Sequence, residues 1–546
     1  MRFVAWGLAA LLVSSGAWAQ ERPVGITVDL SRKLGPYKPI YAWFGYDEAN
    51  FTTGRDGKKL LRELRDLSPV PVHIRAHHLL TSGDGMPELK WSSTNVYRED
   101  AGGKPVYDFA ILDGIFDEYK AAGVVPMVEL GFMPKDLTSG ANDYQVHYPG
   151  RTTAGSVQAP PKDYAKWQEL VRVVVAHLAQ RYGADTVRGW YFEVWNEPDI
   201  DYWHGTPQQY WELYDRAAAG IRAALPDAKV GGPASTGPGG ANAYKFLDDF
   251  LTHVTTAKVP LDFISFHAKG RPQIQGGEVV MGLAKELNDV DKGFEIVARH
   301  KMNMLPIILS EADPEGCAAC SMKVNPANGY RNGTLYPSYT AAAYKGLFEL
   351  ADRHKVNLIS MLSWSFEFEN KDYFEGFRSL STNGVDKPVL NFFRMAALMK
   401  GQRVAATSSG QVGLDDIIAS GVGNSDIDAL ATADARQAAV MLWNYQDAEK
   451  PGPSVPANVT ITGLPKAASR ARLTHYRIDD THSNAYTAWK AMGSPQNPSP
   501  AQYGELKGKD GLQLLDAPRW IEVRNGAATV SIEMPHHSIS LMLLEW

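Results

Sequence analysis

Trp190-Tyr191-Phe192-Glu193-Val194-Trp195-Asn196-Glu197-Pro198-Asp199 runs as an apolar strand into an Asn-Glu pair and then a proline. The run of large apolar and aromatic residues predicts a buried strand, and Pro198 punctuates its end. The stretch therefore delivers a carboxylate and an amide together at the mouth of a buried strand, among aromatic rings. Cleavage of a sugar acetal calls for such a carboxylate and for a second one opposite it.

Outward from this strand, residues 36–401 alternate short β-rich apolar runs with amphipathic helical stretches, the pattern of βα units around a parallel sheet. Candidate strands are 39–44, 70–76, 125–130, 189–194, 229–232, 263–267, 306–310 and 358–363. Helix 207–225 has Thr206 to cap it and Pro207 in its first turn, with Leu213, Ala217, Ile221 and Ala224 on one face. Helix 163–182 repeats the pattern with Trp167, Leu170, Val174 and Leu178. The expected fold is α/β: an eight-stranded (β/α) TIM barrel with insertions at 81–100 and 134–161. Past residue 402 the segments become short and β-rich, without intervening helices, and predict a β-sandwich over 402–546. The strand at 24–30, in a segment spanning 20–35, is expected to pair into that sandwich.

In a barrel of this kind the chemistry sits at the C-terminal ends of the strands. That rule selects Phe44 and Gly45, Arg75 and His77, Glu129 and Phe132, Asn196 and Glu197, Pro233, His267, Glu311 and Trp364. Glu197 after the fourth strand and Glu311 after the seventh are the carboxylates in the strongest context. Glu197, between aromatics and an amide, is expected to have a raised pKa and to serve as acid and then base. Glu311 is expected to stay ionised as nucleophile, with Arg75 the nearest candidate to hold it so. Asn196 is placed to hydrogen-bond a sugar 2-hydroxyl. His267 either orients Glu311 or is a structural strand-end histidine. Trp364 is either a platform for a pyranose face or a core residue. Glu193 reads as a structural partner inside the barrel, and of His77 and His78 only the one pointing inward can act.

The remaining composition narrows the partners. The chain has 546 residues, 44% hydrophobic and 21% charged, with a formal charge of −6 and no long charged runs, which argues against nucleic acid. Its 14 Trp, 24 Tyr and 19 Phe suit an oligosaccharide substrate. Arg2, an apolar run over 3–13 and Ala17-Trp18-Ala19 before Gln20 read as a cleavable export signal over 1–19, giving a periplasmic or secreted protein with no membrane tether. The only two cysteines, Cys317 and Cys320, are expected to close a small disulfide bracing the loop after Glu311. Two thiols with no nearby histidine do not make a zinc site, and no metal or cofactor is expected.

The Trp195-Asn196-Glu197-Pro198 quartet on strand four and Glu311 on strand seven resemble the retaining (β/α)-barrel glycosidases with two catalytic glutamates. Within that clan, Arg75-Ala76-His77, Glu193 to Pro198 and Phe263-Ile264-Ser265-Phe266-His267 make the chain similar to glycoside hydrolase family 39, which includes β-xylosidases and α-L-iduronidases. The resemblance implies Glu197 as acid/base and Glu311 as nucleophile, with Arg75, His77, Asn196, His267 and Trp364 around the sugar. It implies a xylan 1,4-β-xylosidase acting from the chain end on xylo-oligosaccharides. Around the nucleophile, Leu309-Ser310-Glu311-Ala312-Asp313-Pro314 looks closer to the iduronidase pattern, so an iduronide or another arabinoside or galactoside is the alternative. A uronide would need a cationic clamp; Lys269, Arg271 and Arg331 either supply it or are solvated loop charges. A barrel that binds carbohydrate without turning it over is the reading of another class, and it would be expected to have lost one of the two glutamates.

Overall fold

The computed structural model describes residues 23–46, 48–88, 91–140, 156–317, 320–365 and 367–546. The expected export signal, and much of the insertion at 134–161, lie outside these residues. Eight parallel barrel strands follow in chain order: Trp43–Tyr46, His73–Ala76, Val125–Leu130, Tyr191–Val194, Lys229–Ser235, Phe263–Lys269, Pro306–Asp313 and Asn357–Met361. The eighth is broken. Asn357–Met361 pairs with strand seven, and the short continuation Ser363–Trp364 pairs with strand one, so that neighbour-to-neighbour pairing runs right round the barrel.

The helices between them form where the sequence caps them. Tyr164–Tyr182 starts on Asp163, whose side chain accepts from the backbone of Ala165 and Lys166. Pro207–Ala224 starts on a reciprocal capping box of Thr206 and Gln209, with Pro207 in the first turn. Such caps satisfy backbone N–H groups that the helix cannot, each worth about 1 kcal/mol. The two helices pack against one another, and Trp167 is buried with its indole N–H donated to the Leu213 carbonyl at 3.1 Å.

Two register shifts matter for the mouth of the barrel. Between strands six and seven, Leu309 pairs with Phe266 but Glu311 pairs with His267, so Ser310 is bulged out of register. Between strands five and six the pairing slips at Ala234. A bulge rotates the following side chain, and the first of these sets Glu311 beside His267.

The segment after residue 402, together with Val24–Pro36, forms a nine-stranded, mostly antiparallel sheet. Val24–Pro36 runs antiparallel to Gln402–Ser408 and parallel to Val455–Thr462. The sheet has its own core, including Ile26, Val28, Val404, Val440, Val459, Val530 and Leu544. It docks on barrel helix Leu335–His354 through Lys345, paired with Asp428, and Arg403, paired with Asp352 at 2.8 Å.

The expectation of no helices past residue 402 is corrected. Leu414–Ser420, Ala485–Ala491 and Pro500–Asp510 are helical. The last two form an insertion between strands Arg470–Ile478 and Gln513–Glu522, in which Asn484 caps the first helix and a Ser499–Gln502 capping box with Pro500 starts the second. The Pro-rich turn at 493–500 is the link between them.

Candidate active site

Glu197 reaches the barrel axis because the chain bends sharply after strand four. Trp195 and Glu197 both take positive φ, 72° and 46°, a conformation that costs a residue with a Cβ about 1–3 kcal/mol and persists only where surroundings enforce it. Here they do. The Trp195 ring lies against Phe132 and Trp203, its indole N–H is donated to the Tyr202 carbonyl at 2.8 Å, and the Glu197 amide is donated to Ala234 O at 2.9 Å.

Glu197 and Glu311 face one another, both nearly buried, with one carboxylate oxygen of each and a His267 ring nitrogen all within 4.8 Å of one another. Two carboxylates and an imidazole could in principle ligate a divalent cation. That place is taken by an ammonium: Lys269 Nζ lies 2.9 Å from Glu197 Oε1 and 2.6 Å from Glu311 Oε2. His267 and Lys269 are two apart on strand six, so strand alternation sends both side chains into the barrel.

Strands two, three and four supply a buried charged floor. Arg75, wholly buried, donates Nε to Glu193 at 2.5 Å and Nη2 to the Asn196 side-chain oxygen at 3.0 Å, with Glu129 also at 3.0 Å and Glu311 at 3.4 Å. His77 joins this floor, its Nε2 2.9 Å from Glu129 and 3.6 Å from Glu311. Glu193 is thus the structural partner expected of it. His78 points elsewhere and stacks on Trp91.

On the opposite side Arg378, from the loop after strand eight, pairs with Asp313 and places Nη2 3.4 Å from Glu311 Oε2. Its Nη1 donates to Gly316 O at 2.7 Å. Lys387, fully buried, holds the residues on both sides of Arg378, donating to the Phe377 carbonyl at 2.9 Å and to the Ser379 hydroxyl at 3.1 Å. Burial, and then the charge of Arg331, pull the Lys387 pKa down to about 7.

These neighbours correct the expectations for Glu197 and His267 and sharpen those for Glu311 and Trp364. Burial pushes the Glu197 carboxyl up, but Lys269 and then the His267 hydrogen bond outweigh it and bring its pKa down to about 2 instead of raising it. Glu311 is held well below the ordinary carboxylate range against the same burial, by Lys269, His267 and Arg378 ahead of Arg75. His267 bonds Glu197 at 2.8 Å rather than Glu311, which is 3.9 Å away. Trp364 is 1% exposed and carries the Arg378 guanidinium on its ring face at 4.6 Å, so it seats the arginine and presents no open platform.

Of the three candidate clamp cations only Lys269 enters the site. Arg331 is buried beside it but spent on Glu315, Cys317 O and Cys320 O. The Arg271 side chain stands in solvent. Cys317 and Cys320 are disulfide-bonded, and their loop presents the carbonyls that receive Arg378 and Arg331. Arg378 went unread in the sequence because a long irregular loop returns it to the mouth. Lys269 could have been ranked first from its two-residue offset to His267.

The model of glycosyl hydrolases family 39 matches residues 28–514. A β-xylosidase of Geobacillus stearothermophilus is 28% identical over 90% of this chain and 91% of its own. An α-L-iduronidase of Mus musculus is 25% identical over 98% of this chain and 82% of its own. In fold the chain is similar to the GH39 enzyme of Xanthomonas axonopodis pv. citri, with a TM-score of 0.75, 22% identity and 98% and 99% of the two chains covered. It is also similar in fold to a monomeric β-xylosidase of Caulobacter crescentus, with a TM-score of 0.74, 23% identity and coverage of 95% and 99%. A family match over most of the chain, around a buried pair of glutamates at the ends of strands four and seven, means that this chain belongs to glycosyl hydrolases family 39 and is a glycoside hydrolase.

Proposed function

We propose that the protein is a retaining exo-glycosidase in which Glu311 attacks the anomeric carbon and Glu197 protonates the leaving oxygen, then deprotonates the water that releases the sugar. The observation that carries this reading is the spacing of the two carboxylates, with oxygens inside 4.8 Å. Retaining enzymes set their pair about 5–5.5 Å apart, whereas inverting enzymes need about 6.5–9.5 Å to admit a water. Lys269, His267, Arg378 and Arg75 keep Glu311 ionised, as a nucleophile requires. Glu197 is a carboxylate while Lys269 touches it, so its work as an acid requires the incoming sugar to take the place of the Lys269 ammonium. Asn196, with its oxygen fixed by Arg75, has its amide N–H left to donate to the 2-hydroxyl.

For the sugar we favour β-xylosides. The reading is supported by the β-xylosidase relatives, which match over nine-tenths of both chains. On it Lys269 is redirected to sugar hydroxyls. A second reading, an α-L-iduronide or other uronide, is favoured by one observation: a lysine already bridging the two carboxylates would find a new ion-pair partner in a uronate carboxylate, with Arg378 beside it. Comparing kcat/KM for aryl β-xyloside, α-L-arabinoside, β-galactoside and α-L-iduronide separates the two. Turnover highest on the xyloside supports the first reading, and turnover confined to the iduronide replaces it with the second. We further place the activity outside the cytoplasm, from the export signal read at 1–19; mature protein beginning at Gln20 in a periplasmic or culture fraction tests this.

A further inference from the structure

A cleft of about 700 Å³ opens where the loop after barrel strand eight meets the helical insertion of the C-terminal sheet domain. None of its lining residues touches Glu197 or Glu311. Three segments wall it: the start of the helix Arg55–Leu67, residues 370–373 and Asn383 of the loop, and Gln496, Asn497 and Tyr503 from the insertion. The walls are fixed to one another. The Gln496 side chain accepts from the Tyr373 backbone N–H at 2.7 Å and donates to the Tyr373 carbonyl at 3.4 Å. Beneath them Phe374 and Val385 of the barrel loop pack with Ala485, Trp489 and Leu506 of the insertion in a small separate core. The cleft is therefore built before any ligand arrives.

Its charges are mostly spent within the protein. Arg55 chelates Asp56 at 2.8 and 2.9 Å, Lys59 pairs with Glu63 at 2.6 Å, and Asp372 pairs with Lys323 at 2.9 Å. The amides of Asn370 and Asn497 and the phenols of Tyr373 and Tyr503 are engaged by no other side chain or backbone group among the described residues. Burial, and then the nearby Tyr503, push the Tyr373 phenol above its ordinary range. Amides and phenols both donate and accept, which suits vicinal hydroxyls, and tyrosine rings pack on the C–H face of a pyranose. Among the described residues, Lys371 is the one lining cation without an ion-pair partner, which disfavours a polyanion.

We propose that this cleft is a second carbohydrate-binding site, separate from the catalytic pocket, which takes a neutral stretch of polysaccharide two or three sugars long. Its volume lies within the range of about 300–1,000 Å³ usual for ligand sites. The site holds a long chain against the protein by the same loop that carries Arg378, and it does not depend on which sugar the catalytic pocket accepts.

The test is affinity electrophoresis of full-length protein through gels containing soluble arabinoxylan, neutral galactan or mixed-linkage β-glucan, in a Glu311→Gln background that prevents digestion. The expected result is retardation in at least one gel. Adding Asn497→Ala or Tyr503→Ala should raise the apparent Kd about tenfold, whereas adding Lys269→Gln in the catalytic pocket should leave it unchanged. Asn497 sits in an exposed turn, so its variant keeps the test valid if Tyr503→Ala unfolds the insertion. Absence of retardation in all three gels overturns the proposal. So does retardation unaffected by Asn497→Ala and Tyr503→Ala, or retardation lost with Lys269→Gln, which would assign the binding to the catalytic pocket.

Discussion

The two ends of the barrel are built from the same strands and do opposite things with them. At the N-terminal end Trp43 stacks on His73 at 3.8 Å, Tyr191 meets both edge-on, and Lys229 lies over Tyr191 at 4.4 Å. Burial, and then Lys229, lower the His73 pKa to about 3, so this histidine is a neutral ring in an aromatic plug. A few residues along, strand two carries Arg75 and leads into His77, strand four carries Glu193 and leads into Glu197, and every one of these is buried among charges. Arg75, Lys269 and Arg378 each touch more than one carboxylate, and each catalytic carboxylate touches more than one cation or histidine. Burying charge is costly unless it is paired, and at the mouth the pairing is shared so that one partner can be given up to a substrate. The lower end trades in packing, the upper end in electrostatics.

That contrast can be broken by substitution. Glu311→Gln at the mouth should lower kcat by about 10²–10⁴-fold with the melting temperature little changed; loss of folding instead of activity would erase the distinction between the ends. Glu197→Ala should lose activity on substrates with poor leaving groups to a similar degree, and azide should restore turnover on an activated aryl glycoside with a glycosyl azide as product. Trp43→Ala at the other end should do the reverse, costing about 3–5 kcal/mol in denaturant unfolding while kcat of the folded fraction stays near wild type.

Lys269→Gln sharpens the electrostatic half. Removing the ammonium takes away the first of the groups that oppose burial at Glu197, so the Glu197 pKa must rise from about 2. The acid form is the active one for leaving-group protonation, and kcat/KM reports the free enzyme, so its descending limb should move to higher pH. A limb that stays in place or moves down would show that Lys269 does not touch Glu197 in solution. Thr206→Ala, which removes a helix cap near the mouth but no charge, should cost only about 1 kcal/mol of stability and leave the pH profile unmoved.

The parts of this contrast that could be read from sequence are those carried by local pattern. Strand four and Glu197 were legible because an apolar run ends in Asn-Glu-Pro, and the helix cap at Thr206 because its partner lies three residues on. Glu311 was legible through its place on strand seven. Arg378 was not, since the pairs that aim it, Asp313 and Trp364, are brought to it by a loop with no periodicity. The depressed pKa of Glu197 was misread because its flanking aromatics are visible in sequence whereas Lys269 arrives from strand six, 72 residues away. The insertion at 485–510 was missed for a different reason: its proline- and glycine-rich link masked the Ser499–Gln502 capping box.

The central claim is that Glu197 and Glu311 stand close enough for direct attack by Glu311. The anomeric configuration of the first sugar released, followed by proton NMR in the first minutes of hydrolysis of the preferred aryl glycoside, tests it most directly. The account predicts that the substrate's configuration appears first and the other anomer only later by mutarotation. First release of the opposite anomer would mean that water attacks in one step, and would contradict both the spacing and the role given to Glu311.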